Sequence, residues 1–136
     1  MPETKRFSIH QSEIKFPQAS VHPGIHKEEL KIDCLYLSGE LDAHTAPQLE
    51  SAFLQLISQG RKKIIVNFGE LNYISSAGLG VFMAFIEEIR ESGGDIKLAN
   101  MQPKVYSVFD LLGFPILFDI VDDEKIAVEK FNLVNS

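Results

Sequence analysis

Two adjacent serines, Ser75 and Ser76, stand between an apolar segment and an amphipathic pattern, in the sequence NYISSAGLGVFMAFIEEIRESGG. A serine at the start of a helix can accept a hydrogen bond from a free backbone N–H group, which stabilises the helix by about 1 kcal/mol. The same position suits a phosphorylated serine, because free N–H groups and the helix dipole stabilise an anion. Ala77 and Gly78 carry no bulky side chain, so a partner's active site could approach. Capping and phosphate acceptance are compatible.

The remaining nucleophilic and metal-ligating side chains form weaker patterns. A catalytic serine needs a histidine base and an oxyanion hole; SSAG is not the Gly-x-Ser-x-Gly elbow of hydrolases, and only His44 lies in a strand-to-helix loop. His22 and His26 are four residues apart in a Pro-Gly loop and have no third ligand beside them. Gly78 and Gly80 lack the third glycine of a nucleotide fingerprint. We therefore predict no catalytic residue, no metal site and no cofactor.

Composition narrows the class of protein further. The chain has 136 residues and a net charge of -6, which suggests one domain and argues against nucleic-acid binding. No apolar run approaches the roughly 18 residues that span a bilayer, and the first residues lack the apolar core of a signal peptide. The one cysteine, Cys34, lies in an apolar run and is predicted to be a buried, unreactive thiol. We expect a cytoplasmic protein without membrane insertion.

Short apolar segments alternate with amphipathic ones from Leu30 onward, which predicts an α/β fold with a largely parallel sheet. In such sheets, sites gather in the loops at the carboxyl ends of strands. The strands are predicted at 7–16, 30–39, 62–68, 95–100 and 116–121, and the helices at 45–59, 76–92, 103–113 and 122–134.

The first helix has the clearest predicted beginning. Thr45 is a candidate N-cap, Pro47 fits the first turn, and Gln48 lies three residues after Thr45, as a capping box requires. Gly60 is predicted to end this helix.

Three segments, LSGELDAHTAPQLE, IIVNFGELNYISSAGLGVF and GGDIKLANMQPKVYSVFDLLGF, resemble in this order the STAS-domain family, and most closely the bacterial anti-sigma-factor antagonists. The similarity runs from about Leu30 to Val128. The resemblance implies a STAS-like α/β fold: a mixed β-sheet of four to five strands with about four α-helices, mainly on one side. It divides the chain into an N-terminal strand plus extended loop (1–28) and a STAS domain (29–136).

The resemblance also assigns roles to the serine loop. That family usually has the pattern Asp-Ser-Ser/Thr-Gly, in which a kinase phosphorylates the serine after the aspartate. Alignment on GLGV places Ser76 at the phosphoacceptor, Ser75 at the aspartate and Ala77 at the second hydroxyl residue, followed by Gly78. Ser75 departs from the pattern, so the acidic neighbour is missing.

The loop before the first helix is expected to form part of the same partner surface. The family's acidic loop matches Asp42, with Glu40 and Thr45 nearby. An alternative role for Asp42 is to orient backbone N–H groups near Thr45. The connection 17–28 is longer than the family's hairpin; it is either a flexible insert or an added edge strand, and its role is not predicted.

The resemblance implies a non-catalytic switch. The unphosphorylated protein is expected to bind an anti-sigma factor serine kinase, to be released when the kinase phosphorylates it, and to be restored by a PP2C-type phosphatase. The alternatives are a non-switching STAS adaptor subunit of a lipid-transport or signalling complex, and an enzyme or small-ligand binder that uses the same loops. The kinase, the sigma factor, the signal and the oligomeric state are not predicted.

Overall fold

A computed structural model describes residues 7–16 and 30–134 of the chain. The connection 17–28 lies outside the described residues, so both hypotheses about it remain predictions. Within the two described ranges, no helix combines the length and the apolar character needed to cross a bilayer, and no three His, Cys, Asp or Glu side chains are grouped as metal ligands.

A five-stranded mixed sheet organises the fold. β1 runs antiparallel to β2, and β2 to β5 are parallel to one another, in the spatial order β1-β2-β3-β4-β5. Because parallel neighbours need crossover connections, helices must separate β2 to β5 along the chain. The strands are β1 (Ser8–Phe16), β2 (Leu30–Leu41), β3 (Lys63–Ile74), β4 (Asp95–Ala99) and β5 (Asp119–Val121).

In the part of the chain that the structure describes, five helices accompany the sheet, and the predicted order of elements is confirmed apart from one added short helix, the fourth in the chain. They are α1 (Ala46–Ser58), α2 (Ser76–Glu91), α3 (Pro103–Leu111), α4 (Phe114–Leu117) and α5 (Glu124–Val134). Two boundaries were predicted wrongly. β3 continues to Ile74 instead of ending at Phe68, and the segment before Asp119 forms the short helix α4 instead of a strand. Pro115 lies in the first turn of that helix, where its missing N–H costs little.

The front face of the sheet is covered by α1 to α4, whose apolar side chains share one core with β2, β3 and β4. Phe82 of α2 lies at the centre of this core. Its ring centroid is 5.9 Å from that of Phe53, 5.7 Å from Phe68, 6.1 Å from Phe109 and 6.3 Å from Phe118. These rings come from four other elements or their ends, so one residue of α2 anchors the helix to the whole front layer.

Among the described helices, α5 covers the back face. Val128 and Phe131 pack with Ala127 over Ile32 and Cys34 of β2, together with Ile65 and Ala99. Burial raises the pKa of the Cys34 thiol to about 12, despite a hydrogen bond with Tyr36 that lowers it. The thiol is therefore protonated at neutral pH, as the sequence predicted for a buried, unreactive cysteine.

Replacing Phe82 with alanine should lower the free energy of unfolding by about 3–5 kcal/mol, because the cavity removes ring contacts with four neighbours. The adjacent Met83 is 45% exposed, so Met83→Ala is the matched control and should change stability by less than about 0.5 kcal/mol. Urea denaturation measures both. Equal losses for the two variants would contradict this account of the core.

Candidate functional site

The candidate site lies where β2 and β3 end side by side. The two strands are parallel, and Leu41 pairs with Ile74 at their last residues. Beyond this pair, the backbone N–H of Ser75 donates to the carbonyl oxygen of Leu41 over 2.9 Å. The loop after β2 and the loop after β3 are therefore held together at the carboxyl edge of the sheet, as expected for a site in a parallel sheet.

The second half of β3 extends beyond the end of β4 and leads directly to Ser75 and Ser76. β3 pairs with β4 only between Lys63 and Asn67, whereas its pairing with β2 continues to Ile74. The segment GELNY falls between the strand predicted at 62–68 and the helix predicted at 76–92, so the sequence pattern does not assign it to a strand. Shifts in the pairing register between Tyr36 and Ser38 and between Gly39 and Glu40 accommodate this segment in β3. The apolar pattern of a single short segment does not reveal such shifts.

In the loop after β2, Asp42 orients backbone groups. Its Oδ1 accepts hydrogen bonds from the N–H of His44 (2.9 Å) and the N–H of Thr45 (3.2 Å). Desolvation disfavours ionisation of the carboxyl group, but these N–H donors outweigh it, and the pKa of Asp42 lies below its usual value. The orienting role predicted as the alternative for Asp42 is thus confirmed, and the carboxylate remains charged above acidic pH.

Thr45 occupies the N-cap position of α1, but the predicted side-chain cap is wrong. Its hydroxyl donates to the carbonyl of Glu40 (2.8 Å) and accepts from the N–H of Asp42 (2.8 Å), and no side chain caps this helix. The capping box with Gln48 is therefore incomplete. Because its hydroxyl bonds to Glu40 at the end of β2 and to Asp42 in the loop, Thr45 holds the loop against the end of β2.

Ser75 is the N-cap residue of α2, in an extended backbone conformation. Its carbonyl accepts the first helical hydrogen bond, from the N–H of Leu79 (3.1 Å). Its hydroxyl makes no capping hydrogen bond, and the oxygen is buried with no partner among the described residues. The interpretation of Ser75 as a hydroxyl cap is therefore wrong, although its position at the cap is as predicted.

Ser76 is the first residue of α2, and both Ser76 and Ala77 are exposed. The residue that the resemblance places at the phosphoacceptor therefore lies at the positive end of a 16-residue helix. Glu40 is also exposed, and its register partner across the two strands is Tyr73, which is 51% exposed. The ends of β2 and β3 and the start of α2 thus present a carboxylate, an aromatic ring and a hydroxyl at the same end of the sheet.

The two glycines of the GLG segment have different structural roles. Gly78 is buried, and a Cβ there would lie 2.7 Å from Leu41 Cγ and 3.0 Å from Ile74 Cγ1. Gly78 therefore lets α2 pack directly on the ends of β2 and β3, and it is not part of the exposed surface. Gly80 is exposed, and a Cβ there would meet nothing within 4 Å.

Sequence reasoning did not single out Tyr73, Gly80 or Met83 as surface residues. Met83 is 45% exposed and follows Ser76 and Gly80 along the solvent face of α2. This face could have been found from the helical period, since it lies opposite the buried stripe of Leu79, Phe82, Phe85, Ile86 and Ile89. Tyr73 carries no comparable signal, because it lies between the predicted strand 62–68 and the predicted helix 76–92.

Comparison with known proteins identifies the family. The family model described as "STAS domain" matches residues 17–127. The chain therefore belongs to the STAS domain family, and the resemblance seen in its three sequence segments is confirmed.

Two relatives that match most of their own length are named as anti-sigma factor antagonists. BtrV of Bordetella bronchiseptica, provisionally named an anti-sigma factor antagonist, is 30% identical over 95 residues, which is 70% of this chain and 82% of that protein. The anti-sigma-B factor antagonist of Bacillus subtilis is 31% identical over 84 residues, 62% of this chain and 76% of that protein.

The solved structures of the anti-sigma factor antagonist SpoIIAA have the same fold. Its unphosphorylated form is 29% identical with a TM-score of 0.58, over 73% of this chain and 87% of that chain. The phosphorylated form, from Bacillus, is 28% identical with a TM-score of 0.57, over 73% of this chain and 89% of that chain. These likenesses confirm the predicted STAS-like α/β architecture.

Alanine substitutions at the two glycines should change stability in opposite directions. Gly78→Ala forces the first turn of α2 away from Leu41 and should lower the free energy of unfolding by about 1–3 kcal/mol. Gly80→Ala adds a methyl group in open space and should raise it by about 0.5–1 kcal/mol, because glycine is a poor helix former. Urea denaturation of both variants measures this. A destabilised Gly80→Ala protein would contradict the open space described for this position.

Proposed function

We propose that this chain is an anti-sigma factor antagonist that binds an anti-sigma factor kinase while Ser76 is unphosphorylated and is released when Ser76 is phosphorylated. A PP2C-type phosphatase restores the binding form. The chain itself is a regulatory binding protein and not an enzyme. The proposal is supported by relatives named anti-sigma factor antagonists and by a relative, SpoIIAA, that has been solved both unphosphorylated and phosphorylated.

The observation that carries the proposal is the exposure of Ser76 at the first residue of α2. The kinase transfers the terminal phosphoryl group of ATP to the Ser76 hydroxyl. The Oγ–phosphorus bond forms, the bond to the ADP oxygen breaks, and the hydroxyl proton leaves to a base or to water. The phosphatase reverses the modification by hydrolysis and releases inorganic phosphate.

Phosphorylation alters binding through local charge. A phosphate adds about -1.5 to -2 charges at neutral pH. Within a packed interface this charge must lose its water, and carboxylates nearby repel it. Glu40 and the ionised Asp42 already make the adjoining loop acidic, so the phosphate concentrates negative charge on a surface that bound its partner when Ser76 was neutral. No refolding of the chain is required.

The solvent face of α2 supports a close approach by the partner. A glycine inside a helix costs stability relative to alanine, and no contact with the described residues requires a glycine at position 80. A partner backbone or side chain that packs against this turn would explain the small residue. Tyr73 near the end of β3 and Met83 on the solvent face of α2 are exposed and are of types that are enriched at interfaces.

Ser76→Ala should abolish phosphorylation while preserving binding. With purified anti-sigma factor kinase and ATP, the unmodified chain should gain one phosphate by intact mass and leave the kinase, whereas Ser76→Ala should gain none and stay bound. Ser51→Ala, at an exposed serine within α1, is the matched control and should behave like the unmodified chain. Release of Ser76→Ala by ATP, or phosphate on Ser75 alone, would refute the proposed switch. Binding to a transporter ATPase that is insensitive to Ser76→Ala would favour the non-switching adaptor.

Gly80→Gln should weaken binding of the unphosphorylated chain to the kinase by at least about tenfold, because a side chain there obstructs close packing against α2. Its folding should be unimpaired, since the space is open and glutamine is a good helix former. Asn132→Gln on α5, which covers the back face, is the control and should bind normally. Calorimetric titration measures the affinities, and unchanged affinity of Gly80→Gln would exclude this face of α2 from the interface.

A further inference from the structure

The turn from α3 into α4 is apolar on its outer surface as well as on its inner one. Residues 111–118 have the sequence LLGFPILF, in which no side chain is charged or forms hydrogen bonds. Phe114 and Phe118 are buried, and their rings stack with centroids 5.5 Å apart. These two residues face the core from the two ends of α4, so Ile116 between them faces away from it. A helix that is apolar on all sides is normally covered on all sides.

Four large apolar side chains at this turn are exposed. Leu111 is 84% exposed and Ile116 is 90% exposed, and Leu112 and Leu117 follow at 54% and 42%. Together the four residues present roughly 500 Å² of surface, a size at which the apolar patch of a monomer is often functional. We call these four residues the apolar corner.

The apolar corner is firmly held and lies far from the proposed phosphorylation site. Phe109 contacts Phe114 edge to face, with 5.3 Å between the ring centroids, which fixes α4 against the end of α3. The Arg90 guanidinium donates from Nη2 to the carbonyl of Leu117 over 2.6 Å, so α4 lies beside the last turn of α2. Ser76 is at the other end of that helix, roughly 20 Å away along its axis. A molecule bound at the apolar corner therefore leaves Ser76 accessible.

The charge of the chain indicates what covers the apolar corner. Each copy has a net charge of -6, so two copies repel one another, and an uncharged surface is where they meet most easily. Residues 111–118 form such a surface. A contact about a two-fold axis places the same apolar side chains on both sides, so it needs no complementary charge. Two copies that cover each other's apolar corner bury roughly 1,000 Å² in total, the lower limit for a specific interface.

We propose that the apolar corner is the contact surface of a homodimer, in which two copies of this chain pack corner against corner about a two-fold axis. Because the buried area is at the lower limit, the dimer is weak and forms in the micromolar concentration range. Ser76 remains exposed in each copy, at the other end of α2. Dimerisation does not depend on phosphorylation and goes beyond the proposed function.

Sedimentation equilibrium of the full chain measures this association. Over chain concentrations from about 5 to about 500 μM, the weight-average mass should rise from that of one chain toward that of two, and no further. Ile116→Asp buries an unpaired charge in the contact and should weaken association at least about tenfold. Ile116→Leu keeps the apolar volume and should associate like the unmodified chain.

Leu54→Asp is the matched control, because Leu54 is 52% exposed on α1 and does not belong to the apolar corner. It adds the same charge and should associate like the unmodified chain. Circular dichroism establishes that each variant is folded, and Leu111→Asp takes the place of Ile116→Asp if that variant does not fold. Added sodium chloride should strengthen the association, because it screens the repulsion between two acidic copies and leaves an apolar contact intact.

Three results would overturn the homodimer. One is a mass equal to one chain at every concentration. Another is equal association of the unmodified chain and Ile116→Asp, which would place the contact elsewhere. The third is a mass that continues to rise beyond two chains, which would indicate open-ended aggregation in place of a two-fold contact. The proposed switch at Ser76 can hold for a monomer, so the two proposals fail separately.

Discussion

The parallel pairing of β2 with β3 to their last residues is the constraint on which the site depends. It places Leu41 beside Ile74 and lets the N–H of Ser75 bond to the Leu41 carbonyl. Gly78 then allows α2 to begin directly on top of Leu41, since any side chain there would collide with it. Two backbone features, a strand register and a glycine, therefore determine where the Ser76 hydroxyl lies.

The core makes that position rigid. Phe82 connects α2 to phenylalanines from α1, β3, α3 and the end of α4, so the helix cannot shift without disrupting most of the front layer. A modification at Ser76 therefore acts on a fixed surface. Under the proposed function, a phosphate on Ser76 would change partner binding through charge and not through a shift of α2.

Much of this architecture could be predicted from the sequence, because buried stripes at helical spacing and short apolar strands are strong local signals. The α/β order, the start of α2 at Ser76 and the burial of Cys34 are confirmed. Side-chain partners could not be predicted. Thr45 and Ser75 both occupy cap positions, yet the Thr45 hydroxyl bonds back to Glu40 and the Ser75 hydroxyl has no partner in the described chain. The bulges that extend β3 to Ile74 depend on pairing with a distant strand, which local sequence does not encode.

The most direct test of the switch is the intact mass of the protein isolated from its own cells, with phosphatases inhibited during lysis and with phosphatase added to a second sample. The account predicts a species heavier by one phosphate in the first sample, assigned by fragmentation to Ser76, and its loss in the second. A single unmodified species in both samples under all growth conditions, or phosphate on a residue remote from the start of α2, would contradict it.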